Sequence, residues 1–206
     1  MTRLASGLTE AGYATLRFDF TGLGESAGDF SETSVSANVS DLTRAATTLI
    51  EMGFGPCGLI GHSLGGAASL LAASRLKTVR SLVTIGAPAS TEHVTHLFAE
   101  QVDELVRDGR ATVSIGGREF DLNAEFVHDL ATHDVLGAAA DLGRPYLTIH
   151  ARDDDVVPFE DGEALHQAAA DPKRLSAPAG GGHLFASRAA AAALLSDVVD
   201  WFDGSL

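Results

Sequence analysis

Apolar positions along this chain switch between two periods. Leu4, Leu8 and Ala11 share one helical face and Gly12 is a natural stop, so a short helix opens the chain. Ala14 to Phe20 (ATLRFDF) then reads as a strand. Thr21 to Thr33 is polar and Gly-rich and predicts a loop, after which Val35, Val39, Leu42, Ala46, Leu49 and Ile50 keep helical spacing up to Gly53. Cys57 to Ile60 reads as a short buried strand, Leu64 to Leu76 as an Ala-rich helix, and Val79 to Ile85 as a strand ending at Gly86-Ala87-Pro88. Pro145 to His150 (PYLTIH) is another strand, and Arg174 to Ala177 a weaker fifth. Arg188 to Phe202 is an amphipathic helix with Leu194, Leu195, Val198 and Phe202 on one face. Strands that alternate with helices and are apolar almost throughout predict an α/β architecture, a parallel sheet covered on both faces. Between Ser90 and Leu142 the rhythm breaks. Two helical patterns flank Ala111 to Leu122, whose central Gly116-Gly117 reads as a hairpin turn. The expected organisation is one domain over residues 1–206, with core segments 1–89 and 143–206 and an inserted cap at 90–142.

Composition narrows the function. The 206 residues, 45% of them hydrophobic, suffice for one sizeable core. The net charge of −14 stays negative even with all eight His protonated, and no cluster of Lys and Arg occurs, which sets aside nucleic acid and anionic membrane surfaces as partners. The single Cys57 cannot form an internal disulfide and is too few for a Cys-rich zinc site, so a reducing compartment fits best. The first residues lack the cationic start and apolar stretch of a secretory signal. The longest apolar run, Ala189 to Leu195, is far below the ~18 residues of a membrane-spanning helix. A soluble, cytoplasmic protein is expected.

The candidate chemistry begins at Gly61-His62-Ser63-Leu64-Gly65, a Gly-x-Ser-x-Gly pattern. Alone it is weak in so Gly-rich a chain. Here an apolar strand runs directly in, a helix runs directly out, and Gly66, Ala67 and Ala68 keep the helix start thin. A nucleophile elbow requires that context, because the sharp turn lifts the serine oxygen above the sheet. The plainer reading is a Gly-rich turn with a capping Ser. A serine hydroxyl needs a base and an orienting carboxylate from elsewhere in the chain. Asp153, Asp154 and Asp155 follow the strand PYLTIH, at the sheet edge where ligands of open α/β folds bind, and Gly180-Gly181-Gly182-His183 follows the last strand. The order serine, aspartate, histidine is that of α/β-hydrolase triads.

These residues carry a resemblance. GHSLGG, FDFTGLGES after the first strand, the HxxxDxxVP run from His150 to Pro158, and Gly182-His183 together resemble the α/β-hydrolase superfamily over most of the chain. LRFDFTGLGES followed by GDF, IGHSLGGAA, VTIGAPA and VSIGGREF more narrowly resembles the hydrolase-like domain that bacteria fuse ahead of an OsmC-like peroxidase domain, which is absent here. The resemblance implies Ser63 as nucleophile, Asp154 as the triad acid in preference to Asp153 or Asp155, and His183 as base. It also implies that the Leu64 N–H is one donor of the oxyanion hole. The superfamily core has strands in the order 1-2-4-3-5-6-7-8, and ATLRFDF matches the fourth. The first three, with the loop that supplies the second oxyanion donor, have no counterpart, so an amino-terminally truncated sheet is expected. ATLRFDF and CGLI must then pair directly or leave an open slot that invites association with another chain.

Other polar residues have plainer readings. His62 diverges from Ser63 and reads as packing around the site, and His150 as structural. His93 and His96 have HxxH spacing but lack a third and fourth metal ligand, so no metal is expected. Gly22, Gly24 and Gly28 follow a strand but precede polar, non-helical residues, so a phosphate finds no helix N-terminus there and no cofactor is expected. Two functions remain: a serine hydrolase acting on a small ester or related acyl compound, and a non-catalytic hydrolase-fold module that works with an OsmC-like domain or a second copy.

Overall fold

The computed structural model describes residues 1–115 and 118–206. Helix α1 (Thr2–Glu10) leads through an irregular stretch and a short 3-10 turn (Phe30–Glu32) to α2 (Val35–Glu51). The Ser34 side chain caps α2 by accepting from the Ala37 N–H at 2.9 Å. Strand β1 (Cys57–His62), helix α3 (Leu64–Ala73) and strand β2 (Val79–Ile85) follow. After β2 come a 3-10 segment (Thr91–Phe98), α4 (Ala99–Asp108), the hairpin strands β3 (Arg110–Ile115) and β4 (Arg118–Asn123), α5 (Ala124–Leu130) and α6 (Val135–Ala140). Strand β5 (Tyr146–Ile149), α7 (Phe159–Ala168), β6 (Lys173–Ser176) and α8 (Arg188–Ser205) complete the chain.

Four parallel strands form the main sheet in the order β1-β2-β5-β6, with Leu82 opposite Tyr146 and Ile85 opposite Ile149. Successive side chains of a strand point to opposite faces, and the core divides accordingly. Val83, Ile85, Leu147 and Ile149 pack with α1 and α8 through Leu4, Leu8, Leu194 and Val198. Leu82 and Tyr146 face the other way, toward Ala67 and Leu70 of α3, Val135 of α6 and Leu165 of α7. Tyr146 is wholly buried, so its hydroxyl requires a partner, and Thr84 supplies one at 2.7 Å.

One expectation is overturned. Ala14–Phe20 is not a strand: it carries no regular secondary structure and joins no sheet among the described residues, and β1 is paired with β2 alone. Of the two outcomes expected, the slot stays open. A groove of about 430 Å³ separates Ala14–Phe18 from Cys57–Ile60, with Leu8 of α1 and Leu42 of α2 among the side chains lining it. An apolar stretch without a neighbouring backbone has no ladder to join, and Leu16 and Phe18 remain 46% and 37% exposed.

Smaller differences have local causes. The Ala-rich helix ends at Ala73 instead of Leu76, because Arg75 and Leu76 close a turn whose carbonyls at Leu76 and Val79 accept from the Arg144 guanidinium. The weak last strand lies one residue earlier than its pattern. Helix α7 has no counterpart in the sequence reading, since it buries only Gly162 and Leu165 and so carries little periodicity. Within 90–142, β3 and β4 pair antiparallel, Val113 opposite Phe120, while α6 packs back onto α3 and α7 of the main body. The Gly116-Gly117 turn lies outside the described residues. Among them, no helix is long and apolar enough to cross a membrane.

Candidate active site

The site lies at the carboxyl ends of the main strands. The chain leaves β1 at His62, turns at Ser63 and enters α3 at Leu64. Ser63 has φ 55° and ψ −132°, a conformation that costs a residue with a β-carbon of order 1–3 kcal/mol and persists only where the surroundings enforce it. Its N–H donates to the Ile85 carbonyl at 2.9 Å, tying the turn to β2. Two glycines permit the close approach: a Cβ on Gly61 would lie 2.4 Å from the Gly65 carbonyl oxygen, and one on Gly66 would lie 2.7 Å from Ala87 Cβ. The Leu64 N–H occupies the first position of α3, where helix geometry supplies no acceptor.

The acid stands beyond β5. Asp154 has no exposed side-chain surface, and its Oδ1 accepts the N–H groups of Val156 and Val157, each at 2.9 Å. Burial alone would raise its carboxyl pKa. The Val157 N–H, His183 and the Val156 N–H outweigh burial and hold the group below its ordinary value. Among the described residues Asp153 and Asp155 make no comparable bond. The His183 loop follows β6, and His183 Nδ1 meets Asp154 Oδ2 at 2.9 Å and Oδ1 at 3.1 Å. Nδ1 donates to a carboxylate, which leaves Nε2 as the atom free to accept a proton. The Ser63 hydroxyl makes no side-chain hydrogen bond among the described residues, so the structure joins acid to imidazole and places serine at the same edge without closing the last link.

Two supporting residues were not singled out in the sequence. Gly86, at the end of β2, has φ 53°, and a Cβ there would lie 3.1 Å from Asp154 Oδ2 and 3.4 Å from His183 Nδ1. The acid–imidazole pair rests on bare backbone at that point, and the only sequence signal is the Gly-Ala-Pro that ends the strand. Gly162 of α7 lies against His150, 2.6 Å from Nδ1 to a Cβ built there. His150 is fully buried, donates from Nε2 to the Val157 carbonyl at 3.0 Å and approaches Asp154 Oδ2 at 3.5 Å. It therefore packs behind the acid.

The remaining candidates fall outside the site or at its rim. The His93 and His96 rings meet at a tilt of 55° with centroids 4.4 Å apart, and His93 Nε2 lies 3.4 Å from the Val156 carbonyl. Among the described residues no group of three or more His, Cys, Asp and Glu is placed to hold a metal. Gly22, Gly24 and Gly28 all take positive φ in a turn that wraps Asp19, and a Cβ on Gly24 would overlap that carboxylate.

A parallel sheet covered by helices on both faces, with a strained serine between strand and helix and an Asp–His pair at the neighbouring strand ends, defines the α/β-hydrolase fold. Solved structures agree: the esterase domain of a Rhodothermus marinus protein superposes with a TM-score of 0.79 and 34% identity, covering 99% of this chain and 80% of that one. The chain belongs to the serine aminopeptidase S33 family of that fold, whose profile matches residues 1–118. Among curated proteins it is similar to the mitochondrial palmitoyl-protein thioesterase ABHD10 of Rattus norvegicus, 28% identical over 72% of this chain and 51% of the relative. It is also similar to the lysophosphatidylserine lipase ABHD12 of Danio rerio, 30% identical over 82% of this chain and 43% of the relative. The chain thus spans about half the length of the curated relatives it matches, and it is related to esterases and thioesterases.

Proposed function

We propose that this protein is a serine hydrolase that cleaves a small ester or related acyl compound, thioesters included, through Ser63, His183 and Asp154. The observation that carries the reading is the conjunction of a strained Ser63 at the β1–α3 turn with an imidazole held by a buried carboxylate beyond the ends of β5 and β6, at the same edge of the sheet. In the reaction, His183 Nε2 takes the hydroxyl proton as Ser63 Oγ bonds to the acyl carbon. The Leu64 N–H donates to the developing oxyanion, an interaction of the kind whose loss costs ~10²–10³ in turnover. The leaving alcohol or thiol takes the proton from His183, and a water activated by the same nitrogen releases the acid and restores Ser63. Asp154 keeps the proton of the resting imidazole on Nδ1 and stabilises the imidazolium. Residues 90–142 serve as the cap, and their first turn already touches the Asp154 loop through His93. Cys57, a buried free thiol, fits a reducing compartment such as the cytoplasm.

A second reading rests on a different observation. The Ser63 hydroxyl lacks a bond to His183 among the described residues and the sheet carries an open groove beside β1, as suits a non-catalytic module that works with an OsmC-like domain or a second copy. Fluorophosphonate labelling with peptide mass mapping separates the two. The hydrolase reading expects one adduct, on Ser63, absent from Ser63→Ala. An adduct that survives Ser63→Ala overturns it, and a folded protein that is never labelled supports the module.

A further inference from the structure

The loop bearing His183 has little stiffness of its own. It begins with Gly180, Gly181 and Gly182, of which the first and last take φ 68° and 52°. Its conformation is therefore set by what holds it from outside. One hold is the Asp154 carboxylate on the ring. A second is Phe185, buried beneath α8 at φ 48°, a left-handed conformation that packing must maintain. The third comes from the strand that carries the nucleophile. His62 Nε2 lies 2.8 Å from the main-chain carbonyl of His183, and the two rings sit with centroids 4.7 Å apart at 45°. A carbonyl only accepts, so Nε2 of His62 bears the proton.

We infer that His62 is a positioning residue: its Nε2–H bond to the His183 carbonyl fixes the backbone of the base relative to the Ser63 turn. The inference rests on the hydrolase reading for its consequence in turnover, though the contact itself does not. Since His62 and Ser63 are consecutive, one rigid element sets the position of the nucleophile and of the loop that delivers the base. A base displaced by about 1 Å costs on the order of 10² in rate, so a single backbone bond at this point is consequential. The charge state suits the task. Burial is the largest influence on His62 and pushes its pKa down, aided by the neighbouring His183 and the amino terminus against the pull of the His183 carbonyl and Asp154. A neutral His62 supplies a donor without placing a second cation beside an imidazole that must become charged.

The test uses the full chain, with p-nitrophenyl acetate as the probe substrate. Gln carries an amide nitrogen at the reach of imidazole Nε2, whereas Asn places it near that of Nδ1. The expected result is a kcat lowered about 10- to 100-fold in His62→Ala and His62→Asn with KM within about threefold, and most of the loss restored in His62→Gln. In parallel, hydrogen exchange of the peptide covering 178–187 should accelerate in His62→Ala and return toward the native rate in His62→Gln. Equal kcat and equal loop exchange in His62→Ala would overturn the inference, as would a Gln variant no better than the Ala variant while Asn is. If His62→Ala fails to fold, the comparison of Gln with Asn decides alone. If the native protein neither hydrolyses the ester nor takes a fluorophosphonate, the catalytic reading falls, and the exchange arm still decides whether His62 holds the loop.

Discussion

Val79–Ile85 and Ala14–Phe20 are apolar-rich stretches of equal length, and the fold treats them in opposite ways. The first is hydrogen-bonded on both sides, to β1 and β5, with Leu82 and Val83 completely buried. The second joins no strand among the described residues, and its Leu16 and Phe18 face water and the groove. Strand propensity describes how a side chain suits a pleated, half-buried surface, and it does not supply the neighbouring backbone that makes a strand. The difference extends to the candidate site. Asp154 projects from the end of β5, which is paired on both sides, and is already bonded to His183 beyond the edge strand β6, whereas Ser63 stands at the end of the opposite edge strand β1, whose outer edge faces the groove.

The comparison breaks first at the acid. Asp154→Asn should lower kcat for p-nitrophenyl acetate by about 10³ or more, since the amide no longer fixes the imidazole tautomer, while Asp153→Asn and Asp155→Asn leave it nearly unchanged. Steady-state rates of the three variants decide the matter, and a comparable loss at either neighbour would show that the well-held side has been misassigned.

Stability comes next in size. Leu82→Ala removes a fully buried side chain and should cost about 2–5 kcal/mol, whereas Leu16→Ala at a half-exposed, unpaired position should cost less than about 1 kcal/mol. Urea denaturation of both variants measures the contrast. Equal losses would mean that Ala14–Phe20 is paired in solution. Hydrogen exchange sharpens the point without mutation: amides of Val83 and Ile85 should open only with the whole sheet, and those of Leu16 and Phe18 with local fluctuations that cost almost nothing.

The smallest expected effects depend on pH. Burial depresses the His62 pKa, so the native state binds fewer protons than the unfolded chain between the two values. Its contribution is complete above the unfolded value of about 6.5 and is lost as pH falls toward the folded one. Asp154, held below its ordinary value, contributes above about 3.9 and loses that contribution as pH falls through its folded value. Melting temperatures measured down the acid limb should therefore fall more steeply for the native protein than for His62→Gln in the upper window, and than for Asp154→Asn in the lower. Parallel curves would remove both groups from the account.

Much of this molecule was determined locally and was therefore legible along the chain. The strand Val79–Ile85 and the helix starting at Val35 have the predicted limits because period, capping and turn residues act within a few positions. Ser63 became a candidate because the elbow demands small neighbours at fixed spacing, the run Asp153 to Asp155 and His183 because they lie in loops that follow strands, and Asp154 was preferred among the three aspartates only through the family resemblance. Tertiary structure decided the rest. Whether Ala14–Phe20 became a strand depended on a partner backbone that no local pattern encodes, and α7 formed on so little apolar periodicity that its packing against α6, β5 and β6 defines it. Only the assembled sheet put the His62 donor under the His183 carbonyl across 121 positions of sequence, and Gly86 beneath the Asp154–His183 pair. The physical reason is range: dihedral preference and periodicity act over a turn or two of chain, whereas hydrogen bonds between loops from different strands exist only after the strands have paired.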